Sequence, residues 1–561
     1  MSPTAGDAVV DVFETSGVDV VFGLPCEQLE AYYAGLADSS VRHVHARSEA
    51  SAALMADAYA RVSRTLGVCD GVGGPGAAYA GAGLAEAAGA SSPVLALTGD
   101  NDREIRGRGA IQDADNEAIL APHTVETYDP ETPGRAVESV RQAVREAVTG
   151  VPAPVHVNLP EDVVDGQLAE ADPMIAGIDV AFPTTRPAPD ADSLDALADI
   201  FRTAERPVVL AGEGVLRAGA SEALSALAAA TNTPVVTSMN GKGAVAEDAP
   251  YAGGVVGRWG YCEVANDLVE SANAVVGLGC RFGDLSTMGW TLVPDDATVA
   301  HVDLDPHWLG RNYDADVAVR ADIRETVEGL LEALGVADGA SDGDGFDDRA
   351  DYVDTVATDR EQWRSEFAGR LESDATPIDP ARVVAEIQGA LPDDGLLVAA
   401  TSYPGFFSAA FYEVREPGIG YIQARGSDGI NCALPQAVGA ALAAPDRPVV
   451  CFSGDGGIGY HVADLETAVR EDLPVVVVLS NNQSLGSSKA SQLLNYGVDV
   501  STDFAPETDY AAVARGFGCA GSVVEDPADL GPELEAALAR EGPTLLDVRT
   551  DPSAVPPVIP E

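Results

Sequence analysis

The stretch VVCFSGDGGIGY, residues 449–460, places a carboxylate between two glycines directly after an apolar run. The run has the composition of a buried strand, and glycines on either side of Asp455 let the main chain turn sharply and approach a bulky group closely. In open α/β sheets, ligands bind beyond the carboxyl ends of the strands. The stretch therefore predicts a parallel sheet that binds a ligand at the edge where Asp455 lies.

The same alternation of apolar runs and alanine-rich segments extends along the whole chain. The apolar run VDVVFGL at 18–24 is followed by the alanine-rich segment EASAALMADAYARV at 49–62, and a further apolar run, PVLALTG, lies at 93–99. Strands that alternate with helices indicate parallel sheets covered by helices on both faces. We therefore predict an α/β fold of doubly wound parallel sheets.

Two stretches interrupt this alternation, a Pro/Asp-rich one at 171–193 and a Gly/Asp-rich one at 336–354. Such composition is typical of linkers. The length of 561 residues also exceeds what one hydrophobic core usually holds. We predict three domains, over residues 1–170, 190–335 and 376–561.

Composition limits the partners of the protein. The chain has 89 acidic and 33 basic residues, for a net charge of −56, and Lys242 and Lys489 are its only lysines. Such a field repels nucleic acid and anionic membranes, and it is typical of a carboxylate-rich surface adapted to high salt. The acidic N-terminus and the short apolar runs predict a cytoplasmic, halophilic protein without a membrane span.

Oxygen ligands follow two successive predicted strands. Asp455 ends the first, and after the helical segment HVADLETAVRED the strand LPVVVVLS leads to Asn481 and Asn482. Carboxylate and amide oxygens suit Mg²⁺. The third domain therefore has a candidate magnesium site.

The middle domain carries a different pattern, PVVLAGEGVLRAG at 207–219, which could hold a dinucleotide pyrophosphate at a helix N-terminus. The next strand, TPVVTSMN, lacks the acidic residue that would bind a ribose hydroxyl. An NAD-dependent dehydrogenase is therefore the disfavoured alternative.

GDG followed by NN after a strand–helix–strand interval resembles the cofactor motif of enzymes that depend on thiamine diphosphate (ThDP). The resemblance implies that Asp455, the Asn482 side chain and the Ser484 carbonyl ligate Mg²⁺. It also implies that the neighbouring glycines approach the diphosphate: Gly454, Gly456 and Gly457.

The family's second signature is matched by ARSEASAALMADAYAR at 46–61. The resemblance implies that Glu49 contacts the aminopyrimidine ring, where a shared proton drives the exocyclic amine toward its imino form. RGSDGINCALPQAVGAALA at 425–443 resembles the segment that bends the cofactor, with Ile430 as the wedge. The Ile430 amide and the Asp428 carbonyl would hold the pyrimidine edge, and Asp428 stands where glycine is commoner.

Three further segments match the family. GVGGPGAAYAGAGLAEA at 71–87 resembles its S-G-P-G turn and nominates Gly74 for cofactor binding. AIQDAD at 110–115 is similar to its F-Q-E loop and implies a catalytic role for Gln112 in the substrate pocket. TSYPG at 401–405 implies that Ser402 and Tyr403 cradle the diphosphate.

The closest type is the acetolactate synthase large subunit. That resemblance implies decarboxylation of a 2-oxo acid such as pyruvate, joining of the remaining unit to a second carbonyl compound, and assembly as a homodimer or homotetramer. A regulatory subunit is left open. Arg281 in GCRFGDLST would face the substrate, Cys26 in GLPC would border the pocket, and Lys489 in SLGSSKASQ is a third substrate candidate.

Departures from the synthase pattern keep other reactions open. Ser491 replaces the usual acceptor-selecting Trp, and RFGDL lacks the second Arg of R-F-D-D-R, which leaves FAD binding undecided. The main alternative is a simple 2-oxo acid decarboxylase of the benzoylformate or sulfopyruvate type. A menaquinone-pathway synthase and a scaffold without activity are weaker alternatives, the latter because Glu49 and the metal residues are all present.

Overall fold

The computed structural model describes residues 3–168, 185–336 and 346–557. Its first sheet has the strand order β2-β1-β3-β4-β6-β5, with every neighbouring pair parallel. The strands are β1 (Val20–Gly23), β2 (Arg42–His45), β3 (Gly67–Gly71), β4 (Val94–Asp100), β5 (Glu126–Tyr128) and β6 (Val155–Pro160). The helices are α1 (Ala5–Thr15), α2 (Glu30–Ala37), α3 (Glu49–Ser63), α4 (Pro75–Gly89), α5 (Asn116–Leu120), α6 (Pro133–Val148) and α7 (Glu161–Val164).

The middle sheet has the order β12-β11-β10-β7-β8-β9, again parallel throughout, which is the strand order of a dinucleotide-binding fold. Its strands are β7 (Pro207–Ala211), β8 (Val235–Thr237), β9 (Ala252–Val255), β10 (Ala274–Leu278), β11 (Thr298–Asp303) and β12 (Val317–Arg320). Its helices are α8 (Ala191–Thr203), α9 (Glu213–Ala218), α10 (Ser221–Thr231), α11 (Glu263–Glu270) and α12 (Ile323–Ala333).

The third sheet repeats the strand order of the first, β14-β13-β15-β16-β18-β17. Its strands are β13 (Leu396–Ala399), β14 (Tyr421–Gln423), β15 (Val449–Gly454), β16 (Val475–Asn481), β17 (Ala520–Val524) and β18 (Thr544–Arg549). After α13 (Ala350–Glu366) and α14 (Ala368–Leu371), the helices of this domain are α15 (Pro380–Ala390), α16 (Tyr403–Phe411), α17 (Ala433–Ala443), α18 (Asp455–His461), α19 (Asp464–Arg470), α20 (Gly486–Tyr496), α21 (Tyr510–Phe517) and α22 (Pro527–Leu538).

The central strands are buried along their whole length. β4, β10 and β16 have no exposed residue, since helices cover both faces of each sheet. Continuous apolar runs such as VVVVL in β16 follow from that burial. The predicted α/β architecture with three parallel sheets is confirmed.

The first and third domains pack tightly through α3 and α17. Gly439 lets the two helices approach, because a Cβ there would lie 2.2 Å from the carbonyl oxygen of Met55. Buried polar bonds join the same two domains: Gln436 of α17 donates to Asp57 of α3 at 3.0 Å, and Ser51 of α3 donates to Asp464 of α19 at 2.5 Å. The two domains are therefore held in a defined orientation within one chain.

One of the two lysines joins the middle and third domains. Lys242 is 2% exposed and donates to Glu247 at 2.7 Å, while Glu247 accepts the main-chain amide of Val414 at 2.7 Å. The ammonium also lies 5.9 Å from the ring centroid of Tyr421. The charge of Lys242 is thus neutralised inside the contact.

The exact residues at which the three domains begin and end stay predictions. Most of the linker predicted at 171–193 and half of that at 336–354 lie outside the described residues. In the part of the chain that the structure describes, no helix is long and apolar enough to cross a membrane.

Candidate active site

Glu49 occupies the first turn of α3, directly after β2. The side chain of Ser48 caps the helix by accepting the Ser51 amide at 3.1 Å. Glu49 is 8% exposed, and burial raises the pKa of its carboxyl, with the negative charge of Asp70 adding to the effect. A carboxyl with a raised pKa can share a proton with a ring nitrogen near neutral pH.

Two glycines make room for Glu49. A Cβ at Gly71 would lie 2.6 Å from the Glu49 Cγ, and a Cβ at Gly76 would lie 2.8 Å from its Oε1. Gly71 ends β3 and Gly76 lies in the first turn of α4. The segment at 71–87, which the sequence predicted as a cofactor-binding turn and helix, therefore helps to position Glu49.

The turn before α4 brings Gly74 against the loop that carries Gln112. Gly74 has φ +66°, and a Cβ there would lie 2.9 Å from the Gln112 carbonyl oxygen. The side-chain oxygen of Gln28 accepts the amide of Gly73 at 2.9 Å, and that of Asn116 accepts the amide of Gly74 at 2.7 Å. Gln28 and Asn116, which sequence reasoning missed, fix the turn.

In the third domain, Asp455 begins α18 at the end of β15. It is 3% exposed, its Oδ1 accepts the amide of Gly456 at 3.1 Å, and its buried Oδ2 has no hydrogen-bond partner among the described residues. Burial raises its pKa to about 7, against the opposing effect of nearby main-chain amides that include those of Gln483 and Ser484. A buried, unpartnered carboxylate oxygen is what a metal ion would satisfy.

Asn482 and Ser484 lie on the loop after β16, the strand that pairs with β15 up to Gly454 and Ser480. The Asn482 Oδ1 accepts the Ser484 amide at 3.1 Å, and Ser484 is 4% exposed. Gln483 between them has φ +58°. The loop thus turns back on itself beside Asp455, and its carbonyl and amide oxygens fit a hard cation such as Mg²⁺.

Other predicted cofactor residues surround this loop. Tyr403 begins α16 and lies within 3.2 Å of where a Cβ at Gly486 would be, while Ser402 has φ +70°. A Cβ at Gly457 would lie 2.3 Å from the Ile430 carbonyl oxygen. The structure therefore brings the residues predicted in the third domain to one edge of its sheet: Ser402, Tyr403, Ile430, Gly454, Asp455, Gly456, Gly457, Asn482 and Ser484.

Asp428 adopts φ +61°, which explains why glycine would be favoured at this position. Its side chain pairs with Arg425 at 2.5 Å, and its carbonyl oxygen accepts the Thr401 hydroxyl at 3.4 Å. The Asp428 carbonyl therefore lies close to the carboxyl end of β13, which leads into Thr401 and Ser402.

The three substrate candidates lie in different surroundings. Burial raises the pKa of the Cys26 thiol to about 12, so the sulfur is not a thiolate at neutral pH. Lys489 is paired with Asp503 at 2.6 Å and Asp499 at 3.1 Å. Arg281 donates to the Gly89 carbonyl at 2.6 Å and to the Ser91 hydroxyl at 2.9 Å.

Arg281 lines a cavity of about 360 Å³ at the carboxyl ends of the middle-domain strands. The lining includes Glu213 and Trp308 of the middle domain and Arg425 and Asp428 of the third. A substrate carboxylate would have to displace the two bonds of Arg281 to the first domain before it could bind the guanidinium.

Comparisons with known proteins agree with this architecture. Residues 3–119 match the thiamine pyrophosphate enzyme N-terminal TPP binding domain, residues 194–330 the central domain, and residues 402–548 the C-terminal TPP binding domain. Three matching domains in this order define the class: the chain belongs to the thiamine pyrophosphate enzymes and is a ThDP-dependent enzyme.

Its relatives include acetolactate synthase large subunits. The chain is 31% identical to the probable acetolactate synthase large subunit of Methanocaldococcus jannaschii, covering 99% of this chain and 93% of that protein. It is 29% identical to the large subunit of acetolactate synthase isozyme 2 of Escherichia coli, covering 97% and 95%. It is 32% identical to the probable 2-ketoarginine decarboxylase of Pseudomonas aeruginosa, covering 97% and 94%.

Proposed function

We propose that this enzyme decarboxylates a 2-oxo acid, pyruvate in the first instance, and joins the remaining two-carbon unit to a second carbonyl compound, as an acetolactate synthase does. The observation that carries the proposal is the similarity to acetolactate synthase large subunits over 93–95% of their length. The buried carboxyl of Glu49 and the Asp455 oxygen that has no hydrogen-bond partner among the described residues are consistent with it.

In this proposal the cofactor residues of the third domain bind Mg²⁺ and the diphosphate of ThDP. Asp455 and Asn482 would supply side-chain oxygens and Ser484 a carbonyl oxygen. The glycines at 454, 456 and 457 leave space for close approach of the diphosphate, and Ser402 and Tyr403 would contact it. What supports this set is the buried Oδ2 of Asp455, which ionises more readily once a cation is bound.

When bound, ThDP supplies a carbon nucleophile and accepts the electron pair that is released as CO₂ leaves. Glu49 would hold a proton at the pyrimidine ring nitrogen. Ile430 would press against the cofactor so that it stays bent, and the Asp428 carbonyl would accept a hydrogen bond from the pyrimidine edge. Gly74 and Gln112 would close the pocket on the side of the first domain.

We further propose that the complete site needs a second copy of the chain. The resemblance to ThDP-dependent enzymes implies that the pyrimidine half of the site, at Glu49, and the diphosphate half, at Asp455, come from different chains. Apolar side chains on and after α20 are also exposed, with Leu494 at 79% and Tyr496 at 80%. A second copy that covers this surface would bury them.

Sedimentation of the ThDP- and Mg²⁺-loaded enzyme in high salt should therefore give a dimer or a tetramer. An active monomer would contradict this part of the proposal. The relatives are named as large subunits, so we extend the proposal to a regulatory partner, which co-purification from the source cells would test.

The substrate proposal is tested by product analysis. Purified enzyme loaded with ThDP and Mg²⁺ in high salt is incubated with pyruvate, and acetolactate and acetaldehyde are quantified, with enzyme lacking ThDP as the control. Acetolactate as the main product supports the synthase. Acetaldehyde alone would favour the second candidate, a simple 2-oxo acid decarboxylase.

The second candidate has its own support in the relative named as a probable 2-ketoarginine decarboxylase. A panel of 2-oxo acids that differ in charge and size, each with and without an added acceptor carbonyl compound, separates the two activities. Turnover that is independent of the acceptor and yields only the shortened aldehyde would identify the decarboxylase.

A further inference from the structure

The three domains meet at a second, smaller cavity of about 170 Å³. We call it the junction cavity. Its lining comes from the C-terminal end of α3 and the α4–β4 turn of the first domain, from α9 of the middle domain and from the start of β14 in the third. It lies at the opposite end of α3 from Glu49, about 20 Å away for a helix of this length.

The junction cavity concentrates positive charge in a strongly acidic protein. Arg61, Arg64 and Arg217 line it, and Glu213 is the only carboxylate among the described residues that line it. Two further guanidiniums, those of Arg186 and Arg324, lie close enough to Arg64 to lower its pKa. A chain with 89 acidic and 33 basic residues would be expected to place carboxylates, not guanidiniums, around a typical cavity.

Of the three arginines that line the junction cavity, Arg61 is the one whose charge is balanced by ion pairs. Its guanidinium is 2.9 Å from Glu213 and 3.8 Å from the buried Asp57. The Glu213 carboxylate also accepts a hydrogen bond from the Asn240 side chain at 3.0 Å. Glu213 therefore pairs directly with Arg61, while its charge and that of Asp303 act on Arg217 without an ion pair among the described residues.

Neither Arg64 nor Arg217 forms an ion pair with a residue that the structure describes. Among the described residues, Arg64 makes no hydrogen bond or ion pair, although its Nη1 would be 2.8 Å from a Cβ at Gly219 of the middle domain. Arg217 donates to the Ala90 carbonyl at 3.0 Å but has no ion pair there. Burial lowers the pKa of both side chains. For Arg64 the nearby Arg186 and Arg324 add to the effect, and for Arg217 the charges of Glu213 and Asp303 oppose it without cancelling it.

The size of the cavity restricts what could neutralise them. Its volume corresponds to about five or six water molecules, which suits a small oxyanion and excludes a dinucleotide. Guanidinium groups bind the oxygens of phosphate and related anions through paired, charge-assisted hydrogen bonds. We propose that the junction cavity binds one tetrahedral dianion, inorganic phosphate or the phosphoryl group of a small metabolite, through Arg64 and Arg217.

Such an anion would connect the domains as well as neutralise charge. Arg64 is the residue that follows α3 and Arg217 lies on α9, so a ligand bound by both would tie the first domain to the middle one. The site is distinct from the predicted diphosphate site at Asp455, and binding there should persist whatever reaction the enzyme catalyses.

The test uses enzyme saturated with ThDP and Mg²⁺, so that the diphosphate site is filled. Sulfate is titrated first, because it does not precipitate Mg²⁺, and phosphate and glycerol phosphate follow, all at constant ionic strength set with KCl. Calorimetry should show saturable binding of one anion per chain, and the melting temperature should rise to a plateau. Absence of saturable binding by any of the three anions overturns the proposal.

Variants assign the binding to this cavity. Arg64→Gln, at the exposed rim, should weaken anion binding about tenfold or more while folding normally, and Arg217→Gln should do the same. Arg202→Gln, which removes an exposed arginine on α8 that does not line the cavity, is the matched control and should leave the affinity unchanged. Unchanged affinity in Arg64→Gln would contradict the proposal even if Arg217→Gln proved unstable.

Preferred binding of glycerol phosphate over inorganic phosphate would indicate a metabolite as the natural ligand. Equal or tighter binding of inorganic phosphate, compared with glycerol phosphate, would indicate the free ion.

Discussion

At the scale of single residues, Glu49 and Asp455 are both carboxyls whose pKa is raised by burial, yet their surroundings differ. Glu49 lies between two glycines that leave its side chain room, whereas Asp455 has an oxygen with no partner among the described residues. The first arrangement suits a group that shares a proton with a ligand. The second suits a group that is ionised by a bound cation.

For Glu49→Gln we expect normal folding and normal retention of ThDP, because the amide has nearly the same shape as the carboxyl. Turnover should fall about 10²- to 10⁴-fold, since the amide cannot share the proton. Steady-state rates and ThDP binding are measured together. Glu126→Gln, in the short strand β5 of the same domain, is the control and should be fully active; a near-normal rate for Glu49→Gln would remove Glu49 from the reaction.

For Asp455→Asn we expect ThDP retention to need at least about tenfold more Mg²⁺, because a charged metal ligand becomes neutral. The cofactor-free variant should melt no lower than the unaltered protein, since the buried carboxyl is costly to ionise. Equilibrium dialysis of ThDP at several Mg²⁺ concentrations measures the first effect.

Asp446→Asn, in an exposed turn before β15, is the control for that experiment. An unchanged Mg²⁺ requirement in Asp455→Asn would contradict the metal assignment.

Residue types at the turns could be predicted from the sequence, and their partners could not. Gly454, Asp455 and Gly456 follow an apolar run, so a strand–turn–helix segment was evident locally. The bonds from Gly73 to Gln28 and from Gly74 to Asn116 join residues 45 and 42 positions apart, and a single sequence carries no periodicity for such contacts. The pairing of Arg281 with the first domain escaped prediction for the same reason.

At the scale of elements, the contact of α3 with α17 depends on the absence of a side chain. For Gly439→Ala we expect a loss of about 1–3 kcal/mol in the free energy of unfolding, because the new methyl group would collide with the main chain of Met55. Denaturant unfolding of the cofactor-free protein measures this loss.

The matched control is Gly389→Ala in the last turn of α15, where no heavy atom lies within 4 Å of the new Cβ. That variant should be unchanged or gain up to about 1 kcal/mol from helix propensity. Equal stability of the two variants would show that α3 and α17 can move apart without cost.

Strands and helices were predictable as types because each domain repeats the same alternation. The order of the strands within each sheet was not predictable. It depends on whether each new strand is added to one side of the first strand or to the other, and the local pattern does not show this. The first and third sheets share one order and the middle sheet has another, although all three have the same kind of local pattern.

At the scale of the whole molecule, the net charge of −56 opposes compaction. Salt shortens the screening length from about 10 Å at 0.1 M to about 3 Å at 1 M. We therefore expect the melting temperature to rise between 0.1 M and 2 M KCl, as scanning calorimetry would measure. A melting temperature that does not change with KCl would mean that the surface charges are neutralised locally.

The burial of Lys242 has a practical consequence for handling the protein. Reagents that couple to lysine amines meet only Lys489, because the other ammonium is enclosed with its glutamate at the contact of two domains. A fluorophore or a solid support attached through that chemistry would sit on α20, near the exposed apolar surface. Molecules immobilised through the Lys489 side chain alone would share one orientation, and a label there would lie beside the surface proposed for association between chains.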